Sequence, residues 1–133
     1  LLQGQLCSLL TCRECGYSAK QFDPFLYLSA PVTPEMVTLT EALDKFHEQE
    51  LLTEGDKWFC NGCQAKSDAQ KKFSIWKLPP VLVLHLKRFA SDPQTMKFRK
   101  LTNTLTVPLE LDFAAHCSSK QRNGATYDLV SAA

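Results

Sequence analysis

The sequence has almost no net charge and no long hydrophobic run. Its 133 residues include 15 basic and 14 acidic side chains, which leaves a formal net charge of +1. Nucleic-acid-binding domains usually carry a basic stripe, whereas basic residues cluster here only in short runs such as KFRK. A membrane-spanning helix needs about 20 apolar residues in succession, and no such run is present. We therefore expect neither nucleic acid nor a membrane as a partner.

The sequence also lacks the features of a secreted protein. The first residues, LLQGQLCSLLTC, have neither the basic start nor the small-residue cleavage site of a signal peptide. With 44% hydrophobic residues, the chain can bury one sizeable core without the disulfides on which small secreted domains depend. We expect an intracellular protein, located in the cytoplasm, the nucleus or both.

What the sequence does have is six cysteines, four of them in two C-x-x-C pairs. The pairs are Cys12 with Cys15 and Cys60 with Cys63, and 44 residues separate them. Such pairs serve as redox couples, as parts of a disulfide framework or as metal ligands. A thioredoxin-like couple needs one pair between a strand and a helix, whereas both pairs here fall among predicted strands and turns. A disulfide framework stays open as an alternative, although the reduced state of intracellular thiols disfavours it.

Zinc accounts best for the two pairs, with the four paired cysteines as its ligands. Two residues between ligands let both thiolates of a tight turn face one ion, and two such turns complete a tetrahedral site. Gly16 follows the first pair and Gly62 lies inside the second, and glycine permits the backbone angles that such turns often need. Four sulfur ligands leave no open position for water, so we expect a structural site that joins two distant hairpins.

The hydrophobic pattern predicts an α+β fold that is mostly β. One helix is predicted over about 38–50, where Thr38 and Glu41 form a capping box. Alternating or continuous apolar runs predict strands, at about 3–12, 17–30, 71–78, 81–89 and 101–109. The run from 81 to 86 has one polar member and is expected to be buried on both faces.

The same pattern predicts where several single side chains lie. In the second strand, alternation places Phe25 and Tyr27 on one face and Leu28 on the other. His85 is expected to be a hydrogen-bonded core histidine because its strand is apolar. His47 is expected on the solvated face of the helix.

Four segments taken together resemble the ubiquitin-specific protease family of cysteine deubiquitinases. The most specific is WFCNGCQAKSDAQKKFSIWKLPPVLVLHLKRF, in which a C-x-x-C pair precedes a Lys-rich strand and the run LPPVLVLHLKRF. The other three are GQLCSLLTCRECG at 4–16, FDPFLYLS at 22–29 and VPLELDF at 107–113. The resemblance implies that 1–133 is part of one papain-like catalytic domain, which has thumb, palm and fingers.

The resemblance also implies a role for each part of the chain. Zinc-ribbon fingers would cover about 5–30 and 55–75, and the palm about 76–133. The four paired cysteines would bind zinc at the fingertips, while Phe25 and Phe89 would contact ubiquitin. The whole enzyme would use a cysteine thiolate to hydrolyse the isopeptide bond between ubiquitin and its conjugates. Its partners would be ubiquitin, ubiquitinated proteins and the rest of the catalytic domain.

The boxes that carry this family's catalytic residues do not occur in the sequence. The family's nucleophile lies in a G-N-T-C-[FY] box and its histidine near a G-H-Y motif, and neither is present. Cys7 lies in a predicted strand without a neighbouring cation, so it is expected to be a core residue. His116 and Cys117 are adjacent in a predicted loop, which is not the geometry of a nucleophile and its base. We therefore predict no catalytic residue here and no activity for the chain alone.

Two other functions remain open. The same architecture of thumb, palm and fingers could serve as a non-catalytic ubiquitin-binding scaffold with a zinc ribbon. Alternatively, the zinc ribbon could belong to an unrelated interaction domain, although the near-neutral charge disfavours nucleic acid as its partner.

Overall fold

The computed structural model describes residues 1–92, 94–117 and 125–133. The predicted α+β, mostly β fold class is confirmed, since strands make up most of the regular structure in the described ranges. Pro93 and the segment 118–124, both within the predicted palm, lie outside the described residues. Within those ranges, no helix has the length and apolar composition needed to cross a membrane.

The regular elements are numbered in chain order. The strands are β1 Gly4–Cys12, β2 Ser18–Phe25, β3 Leu28–Pro31, β4 Glu50–Leu52, β5 Trp58–Cys60, β6 Ala65–Ser67, β7 Ala69–Lys77, β8 Leu84–Lys87, β9 Phe89–Ser91, β10 Phe98–Lys100, β11 Glu110–Asp112 and β12 Thr126–Asp128. The helix α1 is Leu39–Phe46, and short 3-10 turns cover Glu54–Asp56 and Ala114–His116.

A four-stranded antiparallel sheet with the order β2-β1-β7-β4 forms the centre of the fold. β1 pairs with β2 along nearly its whole length, up to Thr11 opposite Ser18. On its other side β1 pairs with β7, and this register runs to Cys12 opposite Ala69. Cys7 is buried in the middle of β1, as predicted. The β1–β2 turn and the start of β7 therefore lie at the same end of the sheet.

The predicted strand over 17–30 is broken by a bend at 26–27, which separates β2 from β3. The bend interrupts the alternation of faces, so Phe25 and Leu28 both enter the hydrophobic core, and Tyr27 is exposed. The prediction that Phe25 and Leu28 lie on opposite faces is therefore wrong. After the bend, β3 pairs in parallel with β8 instead of continuing the hairpin.

Strand β8 is not buried on both faces, contrary to the prediction. Leu84 and Leu86 pack against the core, while Val83 and His85 on the other side are exposed. The reason is that β8 pairs with β3 alone among the described strands, and one side of this pair faces the core. His85 is therefore not a core histidine, and its Nδ1 lies 3.2 Å from the hydroxyl oxygen of Ser29.

The alternating segment 101–109 makes one isolated bridge, between Thr106 and Thr38, and is not a strand of any sheet. Its backbone hydrogen bonds go to loops and to the start of α1. The amide of Thr106 donates to the Val37 carbonyl, and the Thr106 carbonyl accepts from the Leu39 amide. The amide of Leu101 donates to the Arg88 carbonyl. The predicted strand is therefore wrong. Leu101 and Leu105 are nevertheless both buried, while Val107 is exposed.

Helix α1 begins as predicted, with a capping box. The hydroxyl oxygen of Thr38 accepts a hydrogen bond from the Glu41 amide at 3.2 Å, and the Glu41 carboxylate accepts from the amides of Val37 and Thr38. These two amides lower the pKa of Glu41, because they stabilise its charged form. The helix ends at Phe46 rather than near residue 50, since Glu50–Leu52 forms β4 and pairs with β7.

The hydrophobic core lies between α1 and the strands around it. Its largest apolar side chains are Leu28, Leu43, Ile75 and Phe113, which come from β3, α1, β7 and the segment after β11. Each buried side chain of this size contributes about 1.5–3 kcal/mol of hydrophobic free energy. The core therefore holds the four-stranded sheet at the end where β1 begins, and Cys12 lies at the opposite end.

Candidate metal centre

The first C-x-x-C pair lies in the turn between β1 and β2. Cys12 is the last residue of β1, and Cys15 follows in the turn. Gly16 has a φ of +73°, a left-handed conformation that costs glycine little and other residues more. Its amide donates to the Cys12 carbonyl at 3.1 Å, which closes the turn and brings both thiols to one side. Gly16 thus has the backbone role predicted for it.

The second pair lies in the β5–β6 hairpin, where Cys60 ends β5 and Cys63 follows in the turn. In this turn the left-handed residue is Gln64, with a φ of 54°, and not Gly62. Gly62 is needed for space: a Cβ there would lie 2.9 Å from the Sγ of Cys15 and equally close to the Cβ of Tyr17. The prediction that Gly62 supplies a special backbone angle is therefore wrong. Glycine is needed there because it lets the two cysteine turns approach each other closely.

Sheet register brings the two turns together across the long sequence gap. Strand β7 begins at Ala69, two residues after β6 ends, and Ala69 is paired with Cys12. In addition, the amide of Arg13 donates to the Asp68 carbonyl at 2.9 Å. Because β6 leads directly into β7, the β5–β6 turn is carried to the end of β1.

The four cysteine sulfurs lie within 4.8 Å of one another. Cys12 and Cys63 are separated by 3.8 Å, and Cys15 and Cys60 by 3.6 Å. A tetrahedral zinc site with Zn–S bonds of about 2.3 Å has S···S edges of about 3.8 Å. All four are free thiols, and the sulfur set matches this tetrahedron in number, type and spacing. The predicted ligands are therefore brought together in an arrangement that fits a metal ion.

Neighbouring groups and burial shift the pKa values of three of the thiols, those of Cys12, Cys60 and Cys63. The backbone amide of Cys15 lowers the pKa of the Cys12 thiol to about 6. The neighbouring Cys15 sulfur raises the pKa of Cys63 to about 12, and burial raises that of Cys60. A divalent ion would supply the positive charge that four thiolates need.

Two contacts next to the cysteines were not anticipated from the sequence. The rings of Tyr17 and Trp58 stack with their centroids 6.1 Å apart and their planes at 16°. Lys57 and Asp68 form an ion pair at 3.1 Å across the β5–β6 hairpin. Tyr17 and Trp58 each lie two residues from a paired cysteine, and this spacing was the signal that could have indicated them.

One side of the four-stranded sheet carries a shallow cavity of about 410 Å³. It extends from the sheet to the segment that leads into the second cysteine turn. Its lining combines aromatic rings with charges of both signs, and includes Asp23, Trp58, Phe59, Lys71 and Phe73. Such a lining suits contact with a polar protein surface rather than enclosure of a small apolar ligand.

The two predicted ubiquitin-contacting residues lie in different environments. Phe25 is 8% exposed and packs in the core, where its ring fills the space beside Gly4. Phe89 is 68% exposed at the start of β9, and Phe98 on the paired strand β10 is exposed as well. Contact of either phenylalanine with ubiquitin stays a prediction. Of the two, Phe89 has its ring exposed to solvent.

Comparison with known proteins identifies relatives along the whole chain. The family model described as "Ubiquitin carboxyl-terminal hydrolase" matches residues 1–133. Ubiquitin carboxyl-terminal hydrolase 2 of Gallus gallus is 41% identical over 132 residues, which are 97% of this chain and 36% of the relative. The Homo sapiens protein of the same name is 40% identical over 134 residues, 97% of this chain and 22% of the relative. The chain thus spans about a third or less of these curated relatives.

Solved structures share the fold. A complex described as the SAGA Ubp8/Sgf11/Sus1/Sgf73 DUB module bound to ubiquitin aldehyde matches with a TM-score of 0.81 and 33% identity, over 98% of this chain and 30% of that chain. The same module with Ubp8(C146A), bound to monoubiquitin, matches with a TM-score of 0.79 and 36% identity, over 90% and 27%. The fold of this chain is therefore already represented among solved structures.

Proposed function

The chain belongs to the ubiquitin carboxyl-terminal hydrolase family, and we propose that it forms the fingers and much of the palm of a ubiquitin-specific cysteine protease. The observation that carries this proposal is the four-cysteine cluster at the end of the β1–β2 and β5–β6 hairpins. Relatives solved with ubiquitin aldehyde or monoubiquitin support the same function. The whole protein would bind ubiquitin and hydrolyse the isopeptide bond that joins it to other proteins.

Zinc is the metal that we propose for the four cysteines. Sulfur-only donors favour zinc over magnesium or calcium, and a closed four-ligand set leaves no position for substrate or water. The ion would therefore be structural and would hold the two hairpin ends together. Metal analysis should find one zinc per chain, and removal by a chelator should loosen β5 and β6 before the core. A metal-free chain with the same hydrogen exchange at both hairpins would contradict the assignment.

The nucleophile, in this proposal, comes from outside these 133 residues. An attacking cysteine must be accessible and largely thiolate near neutral pH. Cys7 and Cys117 are both buried, and burial raises the pKa of the Cys117 thiol. The remaining four cysteines would be ligands of the proposed zinc ion. The rest of the catalytic domain would therefore supply the reacting thiol and its histidine, and the chain alone would bind without cleaving.

Ubiquitin is the partner that we propose for the sheet and the β9–β10 hairpin. The shallow cavity on the sheet would contact the folded body of ubiquitin through its mixed-charge lining. Phe89 would contact the ubiquitin tail, while Phe25 would support this surface from the core. Ubiquitinated proteins would be the substrates. The six free thiols are consistent with the reducing cytoplasm or nucleus, where we propose that the protein acts.

Titration of ubiquitin into the isotope-labelled, zinc-loaded protein tests the binding surface. Exposed aromatic side chains at the centre of an interface often contribute 1 kcal/mol or more, so Phe89→Ala should weaken binding about tenfold. Val37→Ala is the matched control, because Val37 is also exposed and apolar but lies outside the proposed surface. Equal affinities of the two variants would remove Phe89 from the interface.

Hydrolysis of a fluorogenic ubiquitin amide separates the enzyme from the scaffold alternative. The full-length protein should release the fluorophore, and the 133-residue chain should not. A full-length protein that binds ubiquitin and never cleaves the amide would establish the scaffold instead. A full-length protein that neither binds nor cleaves would refute both functions.

A further inference from the structure

Two of the three histidines in the chain lie against each other. His47 follows the last residue of α1, and His116 ends the 3-10 turn Ala114–His116. Their ring centroids are 4.5 Å apart and their planes are inclined by 15°. The pair was not foreseen from the sequence, which placed His47 on a solvated face. The correction follows from the end of α1 at Phe46, after which the chain turns His47 inward.

His47 is held in its neutral form by its surroundings. It is 8% exposed, and its Nδ1 lies 3.0 Å from the carbonyl oxygen of Phe73, so Nδ1 must carry the proton that is donated. Its Nε2 is buried and has no hydrogen-bond partner. A second proton on Nε2 would place an unpaired N–H and a positive charge in the interior, which is costly.

His116 is the less buried of the two histidines, with its side chain 10% exposed. Its Nε2 is 3.4 Å from the carboxylate of Asp44, which is 65% exposed. A proton on His116 would gain this partner, but it would also place a positive charge directly against the His47 ring. Besides the two rings, the charged groups that act on the pair are Asp44 of α1 and Lys72 of β7. The aromatic neighbours Phe46 and Phe113 are uncharged.

We propose that the His47–His116 stack is a pH-sensitive contact that holds the end of α1 and the 114–116 turn against β7. The contact is complete while both imidazoles are neutral. Acidification charges the rings, and repulsion together with the unsatisfied Nε2 of His47 separates the three elements. Because the residues after His47 lead into β4, which is an edge strand of the four-stranded sheet, release of the stack also loosens that edge.

The direction of the pH effect follows from the buried ring. Burial is the main cause that lowers the pKa of His47 from 6.5 to about 4, and burial lowers the pKa of His116 as well. The unfolded chain therefore takes up protons before the folded chain does. The stabilisation is present above pH 6.5 and is lost as the pH falls towards 4. From pH 7.5 to 5.0, His47 alone should raise the unfolding equilibrium constant about 25-fold.

Denaturant unfolding of the full chain at pH 7.5 and 5.0 tests the proposal through His47→Asn. The asparagine amide can replace Nδ1 as donor to the Phe73 carbonyl but cannot titrate. Between pH 7.5 and 5.0, the unfolding equilibrium constant should rise about 25-fold more in the wild type than in the variant. Acid release of a metal from the cysteines affects both proteins alike and cancels in the comparison. His85→Gln is the matched control, because it removes the histidine that lies outside the stack. A loss of pH dependence in His85→Gln as large as that in His47→Asn would overturn the proposal.

Imidazole NMR of the wild-type chain gives a second measurement that needs no variant. Three histidine resonances are expected, and that of His47 should not titrate above about pH 5. Hydrogen-exchange protection of α1 amides should be lower at pH 5.0 than at pH 7.5. Titration of His47 between pH 6 and 7, or equal pH dependence of wild type and His47→Asn, would overturn the proposal. Neither readout involves ubiquitin, so it can fail without affecting the proposed function.

Discussion

Gly62→Ala is the substitution that most directly tests how the metal centre is assembled. The added Cβ would lie 2.9 Å from both the Cys15 Sγ and the Tyr17 Cβ, whereas ordinary contacts begin at 3.4 Å. The two cysteine turns must therefore separate by about 0.5 Å, more than the roughly 0.2 Å tolerance of metal–ligand distances. Overpacking of this kind costs about 1–3 kcal/mol.

Zinc affinity is the quantity that should report this cost. The same 1–3 kcal/mol corresponds to a loss of affinity of about 5- to 150-fold, measurable by competition with a chromophoric chelator. Two other glycines serve as controls. Gly55→Ala places its Cβ in open space and should leave the affinity unchanged. Gly16→Ala also meets no atom, but its φ of +73° adds about 1 kcal/mol of backbone strain.

The order of zinc affinities among the three variants distinguishes steric separation of the turns from general destabilisation. Steric separation of the turns predicts that Gly62→Ala is the weakest binder, that Gly16→Ala is intermediate and that Gly55→Ala matches the wild type. Wild-type affinity of Gly62→Ala would show that the two turns are not held at the separation described. Equal losses in Gly62→Ala and Gly55→Ala would mean that general destabilisation, rather than the contact with Cys15, sets the affinity.

Two further predictions concern α1, and both are read by denaturant unfolding. Thr38→Ala removes the N-cap side chain and its hydrogen bond with the Glu41 amide, so it should lower the free energy of unfolding by about 1 kcal/mol. The control Thr102→Ala, at an exposed site, should change it little. Equal effects of the two substitutions would argue against the capping box. Leu43→Ala empties a fully buried site and should cost about 3–5 kcal/mol, whereas Leu51→Ala at an exposed site should cost much less. A small loss for Leu43→Ala would place the core elsewhere.

Features that depend on local spacing could be predicted from the sequence. The two C-x-x-C pairs and the capping box at Thr38 each use residues within a few positions of one another, so the pattern contains the geometry. The meeting of the pairs was inferred only from zinc chemistry. In the structure it depends on the pairing of Cys12 with Ala69, a register between strands far apart in the chain.

Features that depend on long-range packing could not be predicted in the same way. Alternation continued through residues 26–27 in the sequence pattern, but the bend there turns Phe25 and Leu28 to the same core. If the helix continued past Phe46, its spacing would place His47 on the solvated face. The helix instead ends before strand β4, and the His47 ring is buried, with its Nδ1 donating a hydrogen bond to the Phe73 carbonyl. In each case, a partner distant in sequence decided between two locally acceptable conformations.

The pairing of Cys12 with Ala69 also determines which connections between the cysteines must keep a fixed length and which can change in length. The four-cysteine cluster requires the short connection from Cys63 through β6 to the start of β7, because one residue more or less would turn Ala69 to the other face. Of the 44 residues between the two pairs, those in β2, β4 and β5 are also fixed in register by strand pairing, but the turn between β4 and β5 carries no such requirement. Insertions at the exposed turn Glu54–Asp56 would change the length of this connection without changing the register. The length of chain between the two cysteine pairs can therefore change at this turn while the cysteines still meet.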